Sequence, residues 1–304
     1  MPSMRNPDSA LPAAQRRLME SIGRVWGRDI QKHRDMVLDA YGPLLALAPK
    51  AGIEVTREHA YGVHPRQVLD IFRPAGARRA PVLVFMYGGA FVRGDKRVTD
   101  EVYDNVLYWF ARYGYVGVNI EYRLAPEAGW PAGADDLAAS IAWVRSNMDS
   151  CGGDADSIFL IGHSAGGTHV VSHAYDPQAG YLGRDVKGLV LISARVKADV
   201  LPENPNAAGV RACFGADESL YETRSPLNHA AASPLPVMIA IAEHDNPLLD
   251  LYGLELAHRI ALVRRSAPRL VRLAGHKHIS MVAHLNSGQD FPGREILDFF
   301  TQIK

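Results

Sequence analysis

Only two cysteines, Cys151 and Cys213, occur in 304 residues, and no Cys-x-x-Cys pair exists. That is too few for a disulfide scaffold or a cysteine-rich metal site, so both are expected as reduced thiols. Charge of either sign is not in excess either, with 33 Lys plus Arg against 33 Asp plus Glu. A neutral chain without a basic cluster on an amphipathic stretch has no field to hold a nucleic acid backbone or an anionic membrane. No apolar run approaches the roughly 20 residues that span a bilayer. Met1 to Asp8 shows no apolar h-region behind a basic n-region. A cytoplasmic protein without a membrane span is the expectation. Internal repeats and low-complexity tracts are absent as well.

What is present is core material: 47% of the residues are apolar, enough to bury a full core in one large domain or two smaller ones. From Leu11 to about Leu47, apolar residues such as Leu18, Ile22, Val25 and Trp26, then Met36, Val37 and Tyr41, recur at helical intervals. Pro43 and Pro49 are expected to close this stretch. Residues 1–50 thus read as a helical accessory segment that either covers a site or packs on the sheet.

Beyond it the period shortens. Ile53 to Tyr61 and Gln67 to Phe72 predict two strands around His64-Pro65, suited to an antiparallel edge. Pro81 to Met86, Val116 to Ile120, Ser157 to Ile161, Gly188 to Ile192, Pro236 to Ala242 and Arg269 to Leu273 have the length of buried strands. Helical stretches lie among them at Thr99 to Arg112, Ala134 to Asn147, Ala165 to Ala174 and Leu249 to Arg265, and Gly293 to Gln302 predicts a last helix. Such alternation predicts an α/β domain over 51–304, a mostly parallel sheet covered on both faces. Residues 194–235 are too long for an ordinary connection. They predict a cap-like insertion at the sheet's carboxyl edge, with a short helix near Asn206 to Phe214.

The chemistry concentrates at Gly162-His163-Ser164-Ala165-Gly166. A buried-strand run leads into this Gly-x-Ser-x-Gly and a helix-compatible run follows, the context that a nucleophilic serine on a strained turn requires. Cβ atoms at positions 162 and 166 would collide with neighbouring backbone. Serine is a weak nucleophile, so Ser164 needs a base and an orienting acid, following in the order acid then histidine. Among Glu243, Asp245 and Asp250, Asp245 stands three residues past a strand end and is the candidate acid, while Asp250 reads as a helix N-cap. His276 and His278 both follow the last predicted strand, and spacing does not choose between them. A metal site drawing on His244, His276 and His278 lacks a His-x-x-x-His helix beside an acidic ligand. Val82 to Met86 runs into Tyr87-Gly88-Gly89-Ala90-Phe91, which places small residues where backbone amides would meet a reacting carbonyl. Gly89, Ala90 and Ala165 are the expected oxyanion donors. The phosphate-loop and dinucleotide fingerprints are both missing.

Together these residues resemble the α/β-hydrolase superfamily, and within it the hormone-sensitive-lipase-like carboxylesterases and the bacterial arylformamidase-like group, over about residues 65–302. Tyr87-Gly88-Gly89-Ala90 stands where that family has His-Gly-Gly-Gly, and Glu121-Tyr122-Arg123-Leu124-Ala125-Pro126-Glu127 resembles its Asp-Tyr-Arg-Leu-Ala-Pro-Glu. Asp245-Asn246-Pro247-Leu248-Leu249-Asp250 resembles the acid motif with one residue inserted. His278-Ile279-Ser280 resembles the arylformamidase-like His-Phe-Ser, which selects His278 as the base. The resemblance implies an α/β-hydrolase fold and a Ser164-His278-Asp245 triad that needs neither metal nor organic cofactor. Tyr87 replaces a loop-holding histidine, so altered loop geometry is expected there, and Arg123 is expected to pair with Glu127.

The reading that follows is a carboxylesterase for small, mainly apolar esters. Tyr87, Phe91, Trp130 and Phe214 are the candidate substrate-binding aromatics. Arylformamidase, acting on the formamide of N-formylkynurenine, is the neighbouring alternative, supported by Ser225-Pro226-Leu227 and His278-Ile279-Ser280. A non-catalytic binding protein on a hydrolase fold is the other. The expected partner is a small ester or formamide, and fold analogy allows a homodimer.

Overall fold

The computed structural model describes residues 11–303, so the first ten residues of the accessory segment and the final lysine lie outside the described residues. Eight strands run β1 Ile53–Ala60, β2 Val68–Pro74, β3 Ala80–Met86, β4 Val116–Ile120, β5 Gly153–His163, β6 Gly188–Ile192, β7 Val237–His244 and β8 Arg269–Lys277. The helices are α1 Ala13–Gly23, α2 Ile30–Ala46, α3 Asp104–Arg112, α4 Ala132–Asn147, α5 Ala165–Tyr175, α6 Ala207–Phe214, α7 Tyr221–Arg224, α8 Leu249–Arg264, α9 Ser280–Ala283 and α10 Phe291–Gln302.

Hydrogen bonding orders one sheet as β1-β2-β4-β3-β5-β6-β7-β8. β2 is antiparallel to both β1 and β4, and every later pairing is parallel. The burial of each strand follows from its place. β4 and β6 are buried at every position, as strands covered on both faces must be. β1, at the edge, alternates half-buried and exposed. On one face Phe110 of α3 and Phe300 of α10 meet Tyr115 and Phe159, the Phe159 and Phe300 rings only 4.4 Å apart. On the other, α5 carries Tyr175, whose hydroxyl receives Arg264 of α8 at 3.1 Å. Crossovers on both faces leave the carboxyl ends of the parallel strands clear, and that end is where ligands sit in such sheets.

Several local expectations change. α2 continues through Pro43 to Ala46, because Tyr41 and Leu45 on either side of the proline are both buried; tertiary burial outweighs the lost backbone donor. α3 begins at Asp104 rather than Thr99, since the Thr99 hydroxyl accepts the Glu101 and Val102 amides at 3.2 and 3.0 Å and holds a turn. Asp250 lies inside the first turn of α8, whose N-cap position is Leu248 in a left-handed conformation. Arg123 does not pair with Glu127. Its guanidinium meets Asp136 of α4 at 2.7 Å, while Glu127 sits 3.4 Å from His64. Among the described residues no helix is long and apolar enough to cross a membrane.

Candidate active site

β5 ends at His163 and α5 starts at Ala165, so Ser164 alone makes the reversal, at φ +55° and ψ −120°. A non-glycine residue holds that conformation only when its surroundings over-determine it. Here the Ser164 amide donates to Ile192 O at 3.0 Å and its carbonyl accepts the Arg195 amide at 3.1 Å. The flanking glycines are steric necessities. A Cβ on Gly162 would lie 2.6 Å from Gly167 Cα, one on Gly88 would lie 2.6 Å from Ser164 Cβ, and one on Gly166 would strike the Met86 and Tyr87 carbonyls.

β7 and β8 deliver the other two groups. The loop after β7 carries Asp245, whose Oδ1 accepts His278 Nδ1–H at 2.7 Å and the Asn246 amide at 2.9 Å. Its Oδ2 accepts the Ser193 hydroxyl at 2.6 Å and the Ala242 amide at 3.2 Å. Burial disfavours the charged carboxyl, but His278, Ser193 and Ala242 together outweigh it and hold Asp245 below its ordinary pKa. His276 points elsewhere, to Ser280 Oγ at 3.1 Å, with its ring 4.9 Å from His284. Geometry therefore separates two histidines that spacing left equivalent. His163, next to the serine, packs its ring 4.7 Å from that of His278 and brings Nε2 to 3.2 Å from the His278 carbonyl.

On the loop after β3, Ala90 and Phe91 both adopt positive φ, +52° and +71°. Neither the Gly89 nor the Ala90 amide donates to an acceptor among the described residues. Ala165 is the first residue of α5, where an amide has no intrahelical partner and the helix dipole favours negative charge. Tyr87 braces this loop from behind. Its hydroxyl donates to Glu121 and receives Arg66 Nη2 at 2.7 Å, and Glu121 also accepts the Lys96 amide at 2.8 Å. Burial, followed by the neighbouring Tyr122 and Glu121, drives the Tyr87 phenol far above its ordinary range.

Ser164, His278, Gly89 and Ala90 open into one cavity of about 320 Å³. Its walls differ from the aromatic set expected from sequence. Tyr87 is committed to the Glu121 network, and Phe91 and Phe214 pack edge to face at 5.6 Å in a small separate core with Ala165. Trp130 lies against that core under Arg224. None of the four lines the cavity. Trp26, Ile30, Gln31 and Arg34 of the accessory segment do, with Tyr103, Arg93, Asp95, Asn206 and Asn246. The insertion adds only Pro205 and Asn206. With Gln31, Arg34, Arg93, Asp95, Asn206 and Asn246 in it, the cavity is more polar than the sequence reading expects. Trp26 is fixed by its indole N–H, which donates to Asn246 Oδ1 at 3.0 Å. Ser193 and Asn246 were also missed from sequence. The available signal was position, since Ser193 directly follows β6 as Ser164 directly follows β5.

Relatives and solved structures agree with this architecture. The BD-FAE family profile matches residues 69–200. Esterase LipC of Mycobacterium tuberculosis is 41% identical over 113 residues, a match covering 36% of this chain and 27% of LipC. The gibberellin receptor GID1 of Oryza sativa subsp. japonica is 31% identical over 164 residues, 53% of this chain and 45% of the receptor. The chain thus spans about a quarter of the one and under half of the other. A hyperthermophilic esterase from the archaeon Pyrobaculum calidifontis superposes at 22% identity with a TM-score of 0.69, over 96% of this chain and 98% of that one. This is the α/β-hydrolase fold. Within the hydrolase fold the Ser164 turn, the Asp245 loop and the His278 loop all stand at the carboxyl end of the sheet, next to one another through β5-β6-β7-β8.

The buried histidines of this chain make folding pH-dependent. Burial, reinforced by His278, pushes His163 down to about 3; burial pushes His169 and His284 to about 4. An unfolded chain binds a proton on each as pH falls through its ordinary value of 6.5, and the folded chain does not. Stability from these groups is therefore full above about 6.5 and is lost as pH falls toward 4. Urea denaturation at pH 7 and pH 5 should show a loss of several kcal/mol, and equal stabilities would contradict it.

Proposed function

We propose that this chain is a serine hydrolase of small carboxylic esters, with Ser164 as nucleophile, His278 as base and Asp245 as the residue that orients it. The observation that carries the reading is the strained Ser164 turn opening into the same cavity as the His278 ring, whose other nitrogen is bound to Asp245 at 2.7 Å. His278 Nε2 takes the hydroxyl proton as Ser164 Oγ attacks the carbonyl carbon. The carbonyl oxygen, now anionic, accepts hydrogen bonds from the Gly89, Ala90 and Ala165 amides. Collapse expels the alcohol, which leaves with the proton from His278. Water, deprotonated by the same imidazole, attacks the acyl-enzyme and releases the acid. The accessory segment and residues 205–206 of the insertion act as the wall that limits substrate size.

Relatives named as esterases support the reading, and the receptor among them shows why the fold by itself does not carry it. The test is kcat/KM on p-nitrophenyl acetate, butyrate and octanoate beside N-formylkynurenine, together with fluorophosphonate labelling. Short esters should lead and octanoate should trail, because a cavity of about 320 Å³ behind Trp26 has little room for a long chain. A lead of orders of magnitude for formylkynurenine would make the protein an arylformamidase. Failure of Ser164 to label would favour a binding protein.

A further inference from the structure

Among the described residues, three arginines close to the site are already neutralised. Arg66 is paired with Glu121, Arg123 with Asp136 at 2.7 Å and Arg195 with Asp199 at 2.9 Å. Two others, Arg34 and Arg93, line the cavity. Arg34, on α2, has as its nearest carboxylate the adjacent Asp35 at 3.8 Å, a partner that is itself more than half exposed. Arg93, on the loop that carries the Gly89 and Ala90 amides, reaches only the Asn206 side-chain oxygen at 3.5 Å. Asp95 is the single carboxylate among the described lining residues, and its Oδ1 accepts the Arg97 amide at 3.0 Å on its own loop. Arg34 faces inward far enough for its charge to oppose the effect of burial on the Tyr103 phenol at the cavity wall.

A guanidinium presents a planar fork of donors that matches a carboxylate, and such charge-assisted pairs are stronger than neutral hydrogen bonds. Two guanidinium groups lining one recess, one from the accessory segment and one from the oxyanion loop, raise the local concentration of anions there. A neutral ester would leave Arg34 with only the distant Asp35 and Arg93 with only the Asn206 side-chain oxygen. We propose that the cavity takes esters bearing a second, ionised carboxylate, such as monoesters of short dicarboxylic acids, with Arg34 and Arg93 holding that carboxylate while the ester carbonyl lies against Ser164. This rests on the hydrolase reading above and refines its substrate class. It also gives the accessory segment a role in specificity.

Three methyl esters of similar acyl length test it by acid release in a pH-stat: monomethyl glutarate, methyl pentanoate and methyl 4-(trimethylammonio)butyrate. The anionic ester should exceed the neutral one in kcat/KM by about tenfold or more, chiefly through KM, with the cationic ester last. That anionic-to-neutral ratio should fall about tenfold in Arg34→Gln and in Arg93→Gln, recover in part in Arg34→Lys, and shrink with added salt, since both side chains keep contact with solvent. Equal turnover of the three esters, or a ratio unmoved in both glutamine variants, would overturn the proposal and leave the hydrolase reading intact. Absence of turnover on every ester together with an unlabelled Ser164 would instead remove the hydrolase reading, and this inference with it.

Discussion

Ser164→Ala should lower kcat on p-nitrophenyl butyrate by about a millionfold, the scale seen when a triad nucleophile is removed while the oxyanion donors stay in place. The change deletes one oxygen and keeps the Cβ that packs over Gly88, so the turn and its two backbone hydrogen bonds should survive. Folding stability should stay within about 0.5 kcal/mol of the parent, because no core contact or buried polar partner is lost. Fluorophosphonate labelling should vanish in parallel with turnover. Retention of a hundredth of the parent activity would mean that another nucleophile does the chemistry.

Asp245→Asn should cost about ten-thousandfold in kcat with little change in KM. The carboxylate accepts four hydrogen bonds: from His278 and the Asn246 amide on one oxygen, and from Ser193 and the Ala242 amide on the other. An amide has one oxygen to offer. If that oxygen stays with Ser193 and Ala242, the NH2 group faces His278 Nδ1, which must then be an acceptor. The ring is forced into the tautomer that carries its proton on Nε2, and Nε2 can no longer take the proton from Ser164. Single-turnover acylation rates at saturating ester separate this from a binding defect. A loss of only a few fold would show that Asp245 is not the orienting acid.

Much of the architecture was legible because local pattern and global packing agree. The runs Val116–Ile120 and Gly188–Ile192 are too short for helices and are buried at every position, as central strands are. Gly162, Ser164 and Gly166 were legible for a harder reason: the backbone approaches so closely that few other residues fit. His276 and His278 could not be separated from spacing, since they stand two residues apart at the end of β8. The choice depends on where Asp245 lies, on another strand's loop. The cavity wall was the least legible part. Aromatic residues near the motifs in sequence, Phe91 and Phe214, satisfy each other in a separate small core. The wall comes instead from Trp26 and Arg34, more than a hundred residues before the serine. Helical periodicity revealed that the accessory segment packs, but periodicity carries no information about which partner it packs on.

The bond from the Trp26 indole to Asn246 ends on the residue next to the acid. Bulk that pushed Trp26 outward should therefore pull on the loop whose Asp245 holds the imidazole. If the proposed triad acts, size discrimination should be felt as slower turnover as well as weaker binding, since an oversized ligand that gained entry would meet a centre out of alignment.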